Sequence, residues 1–145
     1  MTTLEPTFAT APETVTTGES PQVPVLGFQM HQIDEEHGLD LAEEAGVYWM
    51  RFDAFHWDEL EPESTDPPSY NWQAVDEISL LNTVEAGMQM IAAVKFAPGW
   101  AQKVPGSFCG PIKQDALDEY AQFLSAMVQR YSQAPYHIQY WELGN

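Results

Sequence analysis

The chain has 145 residues, with 22 Asp and Glu against 5 Lys and Arg, so its formal net charge is −17 and its pI is near 4.2. Hydrophobic residues make up 44%, too many for a wholly disordered chain, and so acidic a surface repels phosphate backbones, which excludes nucleic acid as a partner. No apolar run reaches the roughly 20 residues that span a bilayer, and a single cysteine, Cys109, excludes an internal disulfide and any cysteine-rich metal site.

Residues 1–22 contain seven Thr, three Pro and three Glu, with no Lys or Arg. Such a segment buries too little apolar surface to offset its ordering entropy, and it reads as a disordered leader or linker. It lacks the basic and apolar regions of a secretory signal. Thr/Pro-rich stretches often precede secreted domains, so an extracellular or cell-surface location is the expectation, with no signal peptide visible.

Residues 23–145 form one domain. The run 23–32 (VPVLGFQMHQ) reads as a buried strand, and 34–45 as a helix with Leu39 and Ala42 inward, closed by Gly46. A second, aromatic-rich strand covers 47–55. A proline-containing loop, 57–71, leads to Asn71, a candidate cap for a helix over 72–86 that Gly87 stops. Residues 88–96 (MQMIAAVKF) form a third strand, followed by a Gly/Pro-rich loop. Residues 116–132 are the clearest helix, with Leu117, Tyr120, Ala121, Leu124, Val128 and Tyr131 on one face. The last strand is 137–143.

The order β-α-β-α-β-α-β with mostly apolar strands predicts a parallel sheet covered by helices. A complete eight-unit barrel takes about 250 residues, so four units amount to a half barrel. The competing open doubly wound sheet is disfavoured, because the first strand–helix turn has no G-x-G-x-x-G. A sheet of this kind leaves ladder edges unpaired, and the chain reads as a truncated piece of a longer one.

Function in such folds gathers at the C-terminal ends of the strands. There the sequence places His31, then Arg51, Asp53, His56 and Trp57, then Lys95 and Trp100, and finally Glu142 and Asn145. Aromatic rings with carboxylates and amides suit sugars, whose C–H faces stack and whose hydroxyls hydrogen-bond. Arg51, within an apolar strand, needs a carboxylate, and Glu142 and Asp53 are the candidates. A structural ion pair and a substrate-orienting arginine are both open, and Trp57 and Trp100 read equally as packing. No ligand spacing supports a metal, and no cofactor is expected.

Four segments in order resemble clan A glycoside hydrolases. Residues 44–53 (EAGVYWMRFD) are similar to their second strand. Trp57-Asp58-Glu59-Leu60-Glu61-Pro62 with Tyr70-Asn71-Trp72 resembles the stretch that follows it. Ala97-Pro98-Gly99-Trp100-Ala101 is similar to their third-strand turn, and 140–145 (YWELGN) to their fourth-strand signature. The resemblance covers about 27–145 and lies nearest the β-xylosidase-like and cellulase-like barrels. Gly144 stands where the clan has Trp.

The resemblance implies a (β/α)8-barrel hydrolase of O-glycosyl bonds in oligo- or polysaccharides, acting with retention through two carboxyls. Asn145 would hold the sugar 2-hydroxyl, directly before the acid/base Glu of the clan. Arg51 would keep the nucleophile ionised. His31, Asp53, Trp57, Trp100 and Glu142 would bind substrate. Neither catalytic Glu is present, so this chain is expected to be inactive alone and to self-associate through its sheet edges. The alternative is a non-catalytic carbohydrate-binding half barrel, and the third reading a structural domain unrelated to sugars.

Overall fold

The computed structural model describes residues 26–107 and 110–144. The expected leader, residues 23–25 of the first expected strand, Cys109 and Asn145 lie outside them. Four strands form one parallel sheet: β1 (Gly27–Met30), β2 (Trp49–His56), β3 (Gln89–Lys95) and β4 (Tyr140–Leu143). Their spatial order equals their chain order. That is the arrangement of a barrel-type β/α chain, whereas a doubly wound sheet reverses direction at a switch point. The architecture is thus α/β and partial-barrel-like, with β1 and β4 at the edges.

The helices differ instructively from expectation. The segment expected as one helix over 34–45 is a 3-10 turn (Glu35–His37) and then α1 (Leu39–Glu44). Gly38 separates them at φ 93°, a left-handed conformation that glycine adopts without penalty. A one-turn helix, α2 (Trp57–Leu60), occupies the start of the expected loop. α3 spans Glu77–Glu85 and is shorter than expected, because Val75 is extended. Its cap is Asp76, which accepts the Ser79 N–H at 3.1 Å, and Asn71 makes no side-chain capping bond. α4 (Leu117–Tyr131) matches its expected span, but its buried side is Phe123, Met127 and Tyr131, while Leu117 and Val128 are exposed.

Met50, Phe52, Met90, Ala92 and Val94 are buried on the helix side of the sheet. Under α4, Phe123 stacks on Trp57 at 5.7 Å and on Trp72 at 6.4 Å. α3 is clipped to the loop after β1: Ile33 N–H donates to Ser79 Oγ (3.1 Å), and Asn82 Nδ2 donates to the Ile33 carbonyl (2.6 Å). The β2–β3 register shifts between Phe52 and Phe55. This bulge holds Asp53, and bulges re-aim the side chains they carry. Among the described residues, no helix is long and apolar enough to cross a membrane.

Candidate functional site

On the sheet face away from the helices, Arg51 is registered with Ile91, and Glu142 with Ala93. Arg51 Nε donates to Glu142 Oε2 at 2.6 Å and Nη2 to Oε1 at 2.9 Å, a bidentate pair. Its Nη1 reaches Asp53 Oδ1 at 3.2 Å, and Lys95 Nζ donates to Asp53 Oδ2 at 2.8 Å. Both candidate partners of Arg51 are therefore used. Glu142, Arg51, Asp53 and Lys95 make a half-buried ladder of alternating sign across three strands. The Glu142 hydrogen bond holds the Arg51 guanidinium further above its ordinary range. Desolvation pushes the Asp53 carboxyl up, but the Lys95 hydrogen bond and charge, with Arg51, outweigh it and hold Asp53 below the usual carboxylate range.

Beside this ladder, at the C-terminal end of β2, lies a cavity of about 360 Å³. Its polar wall is His31, Asp53, His56, Glu59 and Asp76, and Phe96 adds a ring. His56 Nδ1 stands 3.5 Å from Glu59 Oε1, and its imidazole meets the Phe96 ring edge-on at 4.8 Å. Phe96 has φ 56°, which costs a side-chain-bearing residue about 1–2 kcal/mol. Its carbonyl accepts the Asp58 N–H at 2.9 Å, tying the end of β3 to α2.

Two expected sugar contacts fall elsewhere. Trp57 is 1% exposed and cannot offer a face to a ligand. α2 begins at Trp57 and carries its indole into the core, against Trp100, Tyr120 and Phe123. Its Nε1 donates to Glu61 Oε2 at 2.7 Å. Trp100 is half-buried, edge-on to Trp57, with its Nε1 donated to the Glu61 carbonyl at 3.0 Å. Glu61 is itself buried. Desolvation pushes its carboxyl up, the Trp57 bond opposes this, and the Glu119 charge adds to it. Of the expected binding residues, His31 and Asp53 meet in the cavity, and Glu142 joins Asp53 through Arg51.

Glu59, Asp76 and Phe96 were not indicated by the sequence. The Trp57–Glu61 pairing depends on the one-turn helix α2, which the sequence, read there as a loop, did not indicate. Nothing in a sequence marks a phenylalanine with positive φ. Among the described residues, no group of three or more His, Cys, Asp or Glu is placed to hold a metal ion.

No protein-family model and no curated protein matches the chain. Solved structures do. One is a family 39 glycoside hydrolase from the gut symbiont Bacteroides cellulosilyticus WH2, with TM-score 0.62 and 16% identity over 83% of this chain and 24% of that one. Another is the beta-galactosidase of the psychrophilic Marinomonas ef1, with TM-score 0.55 and 19% identity over 83% of this chain and 21% of that one. The chain thus spans about a quarter or less of these neighbours, both glycoside hydrolases. At such identities the likeness is one of fold.

Proposed function

We propose that this chain is the N-terminal half of a retaining glycoside hydrolase barrel and carries part of its sugar-binding site. The observation that carries the reading is the ladder Glu142–Arg51–Asp53–Lys95, set across three strands and adjoining a polar cavity. In the complete barrel, Arg51 stands below the nucleophile and keeps it ionised, because a nearby cation lowers a carboxylate pKa. Asn145 holds the sugar 2-hydroxyl and directly precedes the acid/base Glu. The ligand is an oligo- or polysaccharide, and no cofactor is required.

Retention needs two carboxyls about 5–5.5 Å apart, one of them protonated. Asp53, held below the usual range by two cations, is a poor proton donor, and Glu142 is bound twice by Arg51. The chain alone therefore binds sugars and does not cleave them. Calorimetry with cellobiose and xylobiose, paired with a reducing-end assay, tests this. Binding without new reducing ends is expected. Cleavage lost in Asp53→Asn would overturn the assignment of roles, and no binding of either sugar would overturn the site.

A further inference from the structure

We propose that Glu61 and Glu119 are a carboxyl pair with one proton between them, and that loss of this proton as pH rises loosens the first turn of α4 from α2. The inference is independent of the sugar-binding reading.

Placement supplies the first argument. Glu61 closes α2 and is 1% exposed. Two indoles fix it there: Trp57 Nε1 donates to its Oε2 at 2.7 Å, and Trp100 Nε1 to its backbone carbonyl at 3.0 Å. Glu119 stands in the first turn of α4. The next residue, Tyr120, lies against Trp57 with ring centroids 4.8 Å apart, so this turn sits over α2.

The second argument is an oxygen left over. Glu119 is half-buried, and its Oε2 is buried without a hydrogen-bond partner. A buried carboxylate oxygen with nothing to accept is costly and calls for an explanation. A proton on the neighbouring carboxyl supplies one, because an O–H donated to a carboxylate makes a short, strong hydrogen bond. Trp57 occupies Oε2 of Glu61 and leaves Oε1 to carry that proton.

Charge supports the same assignment. Burial favours the neutral form of Glu61, the Trp57 bond opposes it, and the Glu119 charge adds to it. Among the described residues no cation offsets that charge at Glu61. On α2 itself, Asp58 and Glu59 are acidic, but Glu59 lines the cavity after β2. The loop after α2 brings Tyr70 and α4 brings Tyr120, both phenols that burial holds neutral. Asp118, beside Glu119, is exposed.

The sign follows. A carboxyl raised by folding stabilises the fold below the ordinary glutamate range, and this contribution is lost as pH rises through the folded value. Above that value both carboxylates are ionised where α4 meets α2, and they repel.

The test uses the 145-residue chain, melted at pH 4 and pH 7. Glu61→Gln mimics the protonated state, with an amide N–H for Glu119 Oε2, and at pH 7 it melts about 2–6 °C above the parent. In a Glu119→Gln background that gain is at least halved. In an Asp118→Asn background, which removes an exposed charge from the same helical turn, the gain is intact. At pH 4 the coupling between Glu61 and Glu119 shrinks. Amide exchange in the first turn of α4, corrected for its intrinsic pH dependence, speeds up from pH 4 to pH 7 in the parent and not in Glu61→Gln. Carbon-13 NMR places the Glu61 titration above the ordinary glutamate range, and Glu119→Gln brings it down. An undiminished gain in the Glu119→Gln background, or a Glu61 titration that Glu119→Gln does not move, overturns the pair. Equal coupling at both pH values, or corrected exchange that pH does not change, overturns the switch.

Discussion

Arg51 and Glu142 are bound to each other from strands that do not touch. β3 lies between β2 and β4, and the bidentate pair crosses it with Nε–Oε2 at 2.6 Å and Nη2–Oε1 at 2.9 Å. The residue of β3 level with Glu142 on this face is Ala93, fully buried. Its methyl group is small enough for a guanidinium to pass over. The pair therefore joins two strands that backbone hydrogen bonds cannot join.

Replacing Arg51 by Met leaves Glu142 and Asp53 half-buried with one cation between them. The expected loss is about 2 kcal/mol, between the ~0–1 kcal/mol of an exposed pair and the ~3–5 kcal/mol of breaking a buried one. Arg51→Lys recovers less than half, because an ammonium cannot make the planar double contact. Urea denaturation measures both, and an unchanged midpoint in Arg51→Met would show the ladder to be energetically idle.

Two carboxyls give opposite pH dependences. Asp53 has a lowered folded pKa, so its contribution is present above the unfolded value and is lost as pH falls through the folded one. Glu61 has a raised folded pKa, so its contribution is present below the unfolded value and is lost as pH rises through the folded one. Thermal melts across the acid-to-neutral range should show Asp53→Asn flattening the acid limb. Glu61→Gln, which still accepts the Trp57 N–H, should raise stability at neutral pH. A lower melting temperature for Glu61→Gln at pH 7 contradicts the second assignment.

Trp57→Phe separates core from ligand contact. The smaller ring leaves a void against Trp100, Tyr120 and Phe123 and deprives the buried Glu61 carboxylate of its donor. A loss of about 2–4 kcal/mol is expected from cavity and unpaired-group terms together. Disaccharide affinity should stay at the parental value under conditions where the variant is folded. A selective loss of affinity with stability intact would return Trp57 to the sugar site.

The sheet edges carry apolar side chains: Phe28 is 51% exposed on β1 and Leu143 57% exposed on β4. Unpaired edges of this kind template association. Sedimentation should show concentration-dependent oligomers, reduced in a Phe28→Lys, Leu143→Lys double variant. A monomer at all concentrations counts against edge pairing.

The central strands were the most legible part of the sequence, because residues 47–55 and 88–96 are long, mostly apolar runs interrupted by few charges. The edge strands are shorter than their apolar runs, since fewer backbone partners are there to extend them. The inward side of α4 was read in part, since Tyr120, Leu124 and Tyr131 do pack on the core while Leu117 and Val128 do not. Only packing decides that Phe123 and Met127, rather than Leu117 and Val128, go inward. Arg51's two partners were deducible from the cost of an unpaired buried charge. The fate of Trp57 was not, since a single helical turn at that point carries the indole away from the mouth of the sheet into the core under α4.

Strand order that equals chain order bears on biosynthesis. Each new strand emerges from the ribosome with its hydrogen-bonding neighbour already made, and none has to wait for a segment translated later. The clip from Ser79 and Asn82 to Ile33 fastens the second crossover onto the loop after the first strand using only residues that precede β3 in the chain. Assembly can proceed by accretion, one unit at a time, with every intermediate already a smaller version of the same sheet.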